Sequence, residues 1–449
     1  MVRDFIKQLQ VEKYLRGQWA HHQVIPARPP RTADPETPLP GPLVAALLSL
    51  GIRKLYFHQA RALDLVAKGE NVAVATATAS GKSMAYNLPV FSSVLEEPRS
   101  RVLYLVPLKA LGHDQSKAIA ALSASLTGKQ RVKTAIYDGD TSTYNRQKIR
   151  QDLPNILITN PDMLHLSLLP YHHQWEEFWK DLRFVVVDEM HTYRGIFGSH
   201  IVQVMRRLRR ICRHYGSRPQ FIACSATIEN PGQLAQRLTG LPFTVVDENG
   251  APEAGRHFLF LNPTLSTHTV AVRLFRQSLD AGFKTIVFTR ARKITELIHT
   301  WAMAEDPGLR QRISSYRAGF LPEERREIER KLTSGELDGV ISTSALEMGI
   351  DIGGLDVCIL VGYPGTITTT WQRGGRVGRS DRESLVILIA GADALDQYFM
   401  KYPSDFFGRP FEAAVVDPYN REVLRAHLPC AASEMPLNMD EPEFDFQQC

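Results

Sequence analysis

Two tandem α/β domains, each a mostly parallel sheet flanked by helices, are what this sequence predicts. Three observations carry that expectation. From residue 71 onward, short β-branched runs alternate with longer helical patterns. The runs fall into two series, parted by a Pro/Gly-bearing stretch, DENGAPEAGRH, at 247–257. The length, 449 residues, exceeds what a single hydrophobic core usually organises.

The chain opens on MVRDFIKQLQVEKYLRGQ, with charges where a signal peptide needs an apolar stretch. Residues 21–42 are rich in proline and lack periodicity, so an extended lead-in is expected, and 1–45 is set apart as such. The first series, assigned to a domain over 46–247, holds NVAVAT (71–76), RVLYLVP (101–107), NILIT (155–159), RFVVVDE (183–189) and QFIACSAT (220–227). The second, over 248–410, holds KTIVFT (284–289), GVISTS (339–344), VCILVG (357–362) and SLVILIAG (384–391). Each run has the length of a strand buried on both faces, and the segments between suit crossover helices. Residues 411–449 read as the start of a further C-terminal region, cut short at Cys449.

Hydrophobic residues make up 44% and charged residues 22%, which excludes a largely disordered or collagen-like chain. No apolar run reaches the roughly 18 residues that span a bilayer, so a soluble, cytoplasmic protein without a membrane partner is expected. Lysine and arginine number 53 against 48 acidic residues, for a formal charge of +5 and a pI near 8.9. That mild excess permits a polyanionic partner without arguing for one. Cys212, Cys224, Cys358, Cys430 and Cys449 form no C-x-x-C pair, so reduced thiols are expected rather than disulfides or a zinc module.

The segment ATASGKS, Ala77 to Ser83, follows an apolar strand and precedes a helix beginning near Lys82. That context suits a phosphate-cradling loop. The small residues Thr78, Ala79, Ser80 and Gly81 let backbone N–H groups converge on phosphate oxygens, and the helix N-terminus adds a favourable dipole. Lys82 is placed to reach the β- and γ-phosphates of ATP, and the Ser83 hydroxyl to bind Mg²⁺. Thr76 stands where the first glycine of G-x-x-x-x-G-K-S/T belongs, and an ordinary turn is the competing reading. RFVVVDEMH then sets Asp188 and Glu189 at the end of a wholly apolar strand. Adjacent carboxylates are costly inside a core, whereas the carboxyl end of a parallel strand faces the ligand crevice. Asp188 is therefore assigned to Mg²⁺ and Glu189 to the attacking water.

In this order, ATASGKS, DEMH, SAT (Ser225 to Thr227) and QRGGRVGR (Gln372 to Arg379) resemble superfamily 2 helicases of the DEAD/DEAH-box type. LYFHQ, ending in Gln59, is similar to that family's adenine-reading glutamine motif. PLKAL (107–111), YDGDT (137–141), TNPDML (159–164) and STSALEMGIDIG (342–353) match its remaining motifs. YDGDT, ALEMGIDIG and HLPCAASEMPL are most similar to the YprA-like branch, mitomycin repair factor A type, with the Lhr branch more distant. Larger members of that branch continue beyond this point, which suggests C-terminal truncation. DEMH replaces D-E-A-D, and Gln372 stands where DEAD-box proteins usually have histidine.

The resemblance implies two RecA-like domains with ATP between them, and nucleic acid as partner, DNA rather than RNA, traversed 3′-to-5′. Gln59, Asp351 and Gln372 join the phosphate loop as nucleotide-binding residues on this basis. Arg376 and Arg379, three apart and on one face if helical, are expected to complete catalysis from the second domain, beside Lys82 and Glu189. The competing reading is a solvated basic helix or a contact to nucleic-acid phosphate alone. Ser225 and Thr227 either couple the γ-phosphate to the domain interface or cap a turn. His191 is taken as a link between the ATP site and the second domain. Lys109, Thr159, Asn160, Thr289, Arg290 and Thr343 are the candidate nucleic-acid contacts, suited to phosphate and sugar oxygens and so indifferent to sequence. In HIVQVMRRLRRICRHYGSR, Arg206, Arg209, Arg210 and Arg213 lie opposite an apolar stripe, and a solvated face is favoured over a phosphate track. An RNA-dependent ATPase and a non-catalytic nucleic-acid-binding fragment are the alternatives to a DNA helicase.

Overall fold

A computed structural model describes residues 1–126, 130–349, 352–378 and 382–444. Asp351, Arg379 and Cys449 lie outside them. The chain divides into two compact units, one of Met1–Pro30 with Pro252–Glu412 and a larger one of Arg31–Ala251 with Ala413–Cys449. The division falls inside the 247–257 stretch, but both chain ends depart from the sequence expectation. The first thirty residues build into the smaller unit, and the C-terminal segment returns to the larger one.

The larger unit is built on a seven-stranded sheet, parallel throughout. Its spatial order runs Thr244–Val246, Val72–Ala75, Gln220–Ser225, Leu182–Val187, Arg101–Leu105, Ile156–Thr159 and Thr134–Ile136. Alternate residues enter opposite cores. Val72, Val74, Val102 and Tyr104 pack with the helices Phe57–Ala67, Lys82–Glu96 and Lys109–Ser123. Ala73, Leu103, Val185 and Val187 face Trp175, Phe178, Trp179 and the helix Gly195–His214. Burial on both faces explains why these strands read as unbroken apolar runs. Thr134–Ile136 and Thr244–Val246 escaped that reading because they are three-residue edge strands with half-buried positions.

The smaller unit also carries seven strands, in the order Trp19–Ile25, Arg256–Leu261, Ser384–Ile389, Val357–Val361, Thr285–Phe288, Gly339–Ser342 and Ile313–Tyr316. All pairings are parallel except the first, where Trp19–Ile25 runs antiparallel along Arg256–Leu261. The expected lead-in is therefore partly a sheet edge, and Val2–Val11 is a helix whose Phe5, Ile6 and Leu9 enter the core. The opposite face is aromatic: Phe258 and Phe260 meet Phe406, Phe407 and Trp371 at ring separations of 5.3–5.9 Å. The fully buried Phe258, Phe260 and Phe406 each contribute roughly 1.5–3 kcal/mol by burial.

The arginine-rich helix Gly195–His214 corrects the expectation of a solvated face. Arg207 is fully buried and Arg210 is 2% exposed. Arg207 pairs with Glu434 and also donates to His165 Nδ1 at 2.7 Å and His427 Nδ1 at 3.2 Å. Arg210 pairs with Glu441 and donates to the carbonyls of Ala431, Met435 and Pro436, while Arg213 pairs with Glu443. Arg209 reaches the carbonyl of Thr239. Arg207 and Arg210 are neither solvated nor displayed for phosphate but clasp the C-terminal helix Arg421–Glu434 and the turn after it, whereas Arg213 keeps 42% of its side chain exposed.

Candidate nucleotide site

Three motifs meet because their strands are neighbours. Val72–Ala75, Gln220–Ser225 and Leu182–Val187 lie side by side and parallel, so the phosphate loop, SAT and DEMH leave one sheet edge together. Carboxyl ends of adjacent parallel strands form the usual ligand crevice of such sheets.

The phosphate loop turns through left-handed backbone at Ala79, φ 63°, and Gly81, φ 76°. The left-handed turn at Gly81 favours glycine, and an added Cβ would stand 2.9 Å from Gln59 Nε2, so a side chain there would displace that amide. Thr76 has no positive φ, and its hydroxyl meets Ser80 Oγ at 2.7 Å. The glycine of the general pattern is thus dispensable here, since threonine adopts its backbone without strain and ties the loop across its base. Lys82 opens the helix Lys82–Glu96, with its ammonium on the carbonyls of Thr76, 3.0 Å, and Ala77, 2.9 Å. Thr78 and Ser83 complete the loop.

Asp188 is 7% exposed. Its Oδ2 accepts from Tyr86 Oη and Gln115 Nε2, both at 3.2 Å, and its Oδ1 from the Glu189 amide at 3.0 Å. Burial first, then the Glu189 carboxylate, push Asp188 up to about 7, against the pull of Lys82. Gln115 Nε2 also lies 3.4 Å from Ser83 Oγ, so one amide spans the two proposed metal ligands. The hydroxyl and carboxylate form an oxygen-only donor set, which fits a hard cation such as Mg²⁺. Neither Gln115 nor Tyr86 was singled out from the sequence. Their signal was positional, as polar residues on otherwise core-facing helices.

Glu189 adopts left-handed backbone, φ 49°, and its carboxylate lies 3.5 Å from His191 Nδ1. His191 Nδ1 also faces the Ala226 amide at 3.2 Å, so DEMH and SAT are joined inside this unit. Burial lowers the pKa of His191, favouring the neutral ring that accepts from Ala226. Ser225 is fully buried and donates to the Ala226 carbonyl, while Thr227 is half-buried. Gln59 braces the phosphate loop: its Oε1 accepts from the Tyr56 amide at 2.9 Å, and its Nε2 donates to the Gly81 carbonyl at 3.0 Å.

In the smaller unit the helix Ile367–Gly374 ends before Arg376, and Arg379 lies outside the described residues. Arg376 is 1% exposed and donates from Nε to the Glu347 carbonyl at 3.1 Å. Arg373, passed over in the sequence, bonds the Glu347 carboxylate at 2.9 Å. Glu347 thereby ties the ALEMG motif to QRGGR, and Gln372 lies buried on the same helix.

The candidate nucleic-acid residues have local partners. Thr159 Oγ1 donates to the Tyr137 carbonyl at 2.6 Å, Asn160 Oδ1 caps the turn Pro161–Met163, and Thr289 Oγ1 meets Thr295 Oγ1 at 2.7 Å. Thr343, half-buried, precedes the turn Ser344–Leu346. Lys109 pairs with Asp140 at 2.6 Å, and Arg290 with Asp396 at 2.8 Å. Both cations keep over two-fifths of their side chains exposed.

The loop ATASGKS and the pair Asp188–Glu189 follow strands of one parallel sheet that flank the SAT strand, an arrangement that places the chain in the P-loop class. The DEAD/DEAH box helicase model matches residues 56–234, and that of the helicase conserved C-terminal domain matches 269–381. The chain belongs to the DEAD/DEAH-box helicases, in their YprA-like branch. It is 44% identical over 431 residues to the ATP-dependent helicase YprA of Bacillus subtilis, covering 94% of this chain and 57% of that protein. It is 36% identical over 414 residues to the ATP-dependent helicase HRQ1 of Saccharomyces cerevisiae, covering 88% of this chain and 38% of that one. The crystal structure of the DUF1998 helicase MrfA bound to DNA superposes with a TM-score of 0.92 at 42% identity, over 99% of this chain and 60% of that one. The chain thus spans about three-fifths or less of the length of these relatives.

Proposed function

We propose that this chain is the motor of an ATP-dependent DNA helicase, which couples ATP hydrolysis to 3′-to-5′ movement along a strand. The observation that carries it is the convergence of Lys82, Ser83, Asp188 and Glu189 on one sheet edge, with Gln115 between the second and third. Family membership supports ATP, and the DNA-bound MrfA structures support DNA over RNA. A cytoplasmic location agrees with the finding that no described helix is long and apolar enough to cross a membrane.

In this reading Lys82 leaves the carbonyls of Thr76 and Ala77 to neutralise the β- and γ-phosphates. Ser83 and Asp188 would hold Mg²⁺, which when bound shields phosphate charge. Glu189 orients the attacking water and takes its proton, with His191 relaying the carboxylate's position to Ala226 and the SAT turn. Gln59, Asp351 and Gln372 serve the nucleotide, and Arg376 and Arg379 the developing charge on the γ-phosphate. Lys109 and Arg290 bring exposed positive charge to the strand. Thr159, Asn160, Thr289 and Thr343 are the remaining candidate contacts to its phosphate and sugar oxygens.

The test is ATP turnover without nucleic acid, with single-stranded DNA and with single-stranded RNA. Stimulation by DNA is expected. Stimulation by RNA alone overturns the substrate, and absence of turnover under all three conditions overturns the motor. Duplexes with a 3′ or a 5′ tail then read the polarity.

A further inference from the structure

His58 precedes the glutamine of LYFHQ and is absent from the roles assigned above. It is fully buried on the helix Phe57–Ala67, beneath the phosphate loop. Its Nδ1 accepts the Gly250 amide at 3.2 Å. An acceptor at Nδ1 puts the neutral ring's proton on Nε2. Burial and the nearby Lys82 charge keep the ring neutral, lowering it to about 4. Nε2 is itself buried and makes no hydrogen bond among the described residues, although the Ser80 backbone is close enough to act on the ring without completing one. A buried donor without an acceptor is costly, and this one is aimed at the phosphate loop.

The opposite side of the ring is rigid. Gly250 accepts the Arg31 amide through its carbonyl at 2.9 Å, and Arg31 in turn accepts the Phe57 amide at 2.9 Å. A Cβ on Gly250 would lie 2.6 Å from both the Arg31 oxygen and the Phe57 nitrogen. These residues adjoin two of the places where the chain passes between units, Pro30–Arg31 and Ala251–Pro252. The loop is the adjustable side, since Lys82 holds its carbonyls at Thr76 and Ala77.

We propose that His58 is a positioning residue for the phosphate loop. Its Nε2–H takes the Ser80 carbonyl when Lys82 releases Thr76 and Ala77 for the triphosphate, so the nucleotide-engaged loop is pinned to the chain crossing at Gly250. The proposal rests on the ATP reading above. Two near-isosteres separate the two ends of the ring. In His58→Asn the amide oxygen replaces Nδ1 and keeps the Gly250 anchor, but no donor remains at Nε2. In His58→Gln an amide N–H reaches the Nε2 position.

Affinity for a non-hydrolysable ATP analogue with Mg²⁺, together with KM and kcat for ATP, gives the readout. His58→Asn should weaken affinity and raise KM about tenfold, the scale of one lost hydrogen bond, with a smaller change in kcat. His58→Gln should stay within about threefold of the parent, within the spread of a retained bond. Parent-like affinity in His58→Asn, or equal losses in the two variants, overturns the proposal. Failure of the parent to bind the analogue overturns the ATP reading instead. If His58→Asn does not fold, the ¹⁵N resonance of His58 Nε2 in the parent decides. It should move when the analogue is added, and an unmoved resonance overturns the proposal.

Discussion

At the scale of single residues, the site works by giving two adjacent carboxylates different surroundings. Asp188 is enclosed by Tyr86, Gln115 and the backbone, while the Glu189 carboxylate, on left-handed backbone, lies beside His191. Glu189→Gln preserves shape and removes the base, so ATP binding should persist while turnover falls by roughly 10²–10⁴. Equilibrium binding beside steady-state hydrolysis checks this, and undiminished hydrolysis removes Glu189 as base. Gln115→Ala should shift the Mg²⁺ dependence of turnover to about 10–100-fold higher concentration, as expected for a partner that orients ligands. A Mg²⁺ titration at saturating ATP reads it, and an unmoved midpoint makes Gln115 a packing residue.

Among elements, the clasp between Gly195–His214 and Arg421–Glu434 buries two ion pairs, Arg207–Glu434 and Arg210–Glu441. Breaking a buried pair leaves an uncompensated charge, so Glu434→Gln should lower unfolding free energy by about 3–5 kcal/mol, whereas replacing Arg207 and Glu434 together by apolar residues should cost far less. Chemical denaturation of the three proteins tests the comparison. His427 adds a pH dependence. Burial, Arg207, His165 and His200 depress it to about 3, against about 6.5 when unfolded. Between those values the unfolded chain binds a proton that the folded chain does not, so stability is complete above about pH 6.5 and declines as pH falls toward 3. His427→Gln should flatten that slope, measured by denaturation midpoints between pH 7 and 4.

For the whole molecule, each unit is assembled from two separated stretches of chain, joined at Pro30–Arg31, Ala251–Pro252 and Glu412–Ala413. The loop ATASGKS proposed to grip the nucleotide lies in one unit and Arg376 in the other. Under the proposed mechanism, Arg379→Ala should reduce DNA-stimulated turnover at least about a hundredfold, the scale of an arginine finger, while leaving analogue binding in place. An unchanged rate returns Arg379 to a solvated role. By the same lacing, excision at 46–247 should leave an incomplete domain, since it strips Glu434 and Glu441 from Arg207 and Arg210.

The amino-acid sequence alone determined the α/β architecture and nine of its buried strands, and it located the loop ATASGKS and the pair Asp188–Glu189 on which the proposed function rests. These are local properties: a strand covered on both faces must be continuously apolar, and a phosphate turn must place small residues directly before its lysine. Tertiary structure alone decided which distant side chains meet. Arg207 and its carboxylate are 227 residues apart, Trp19–Ile25 finds its partner at Arg256–Leu261, and Gln115 comes between Ser83 and Asp188. A buried arginine and a solvated one look alike along a helix, because burial of charge depends on a counter-charge that only the folded chain brings within reach.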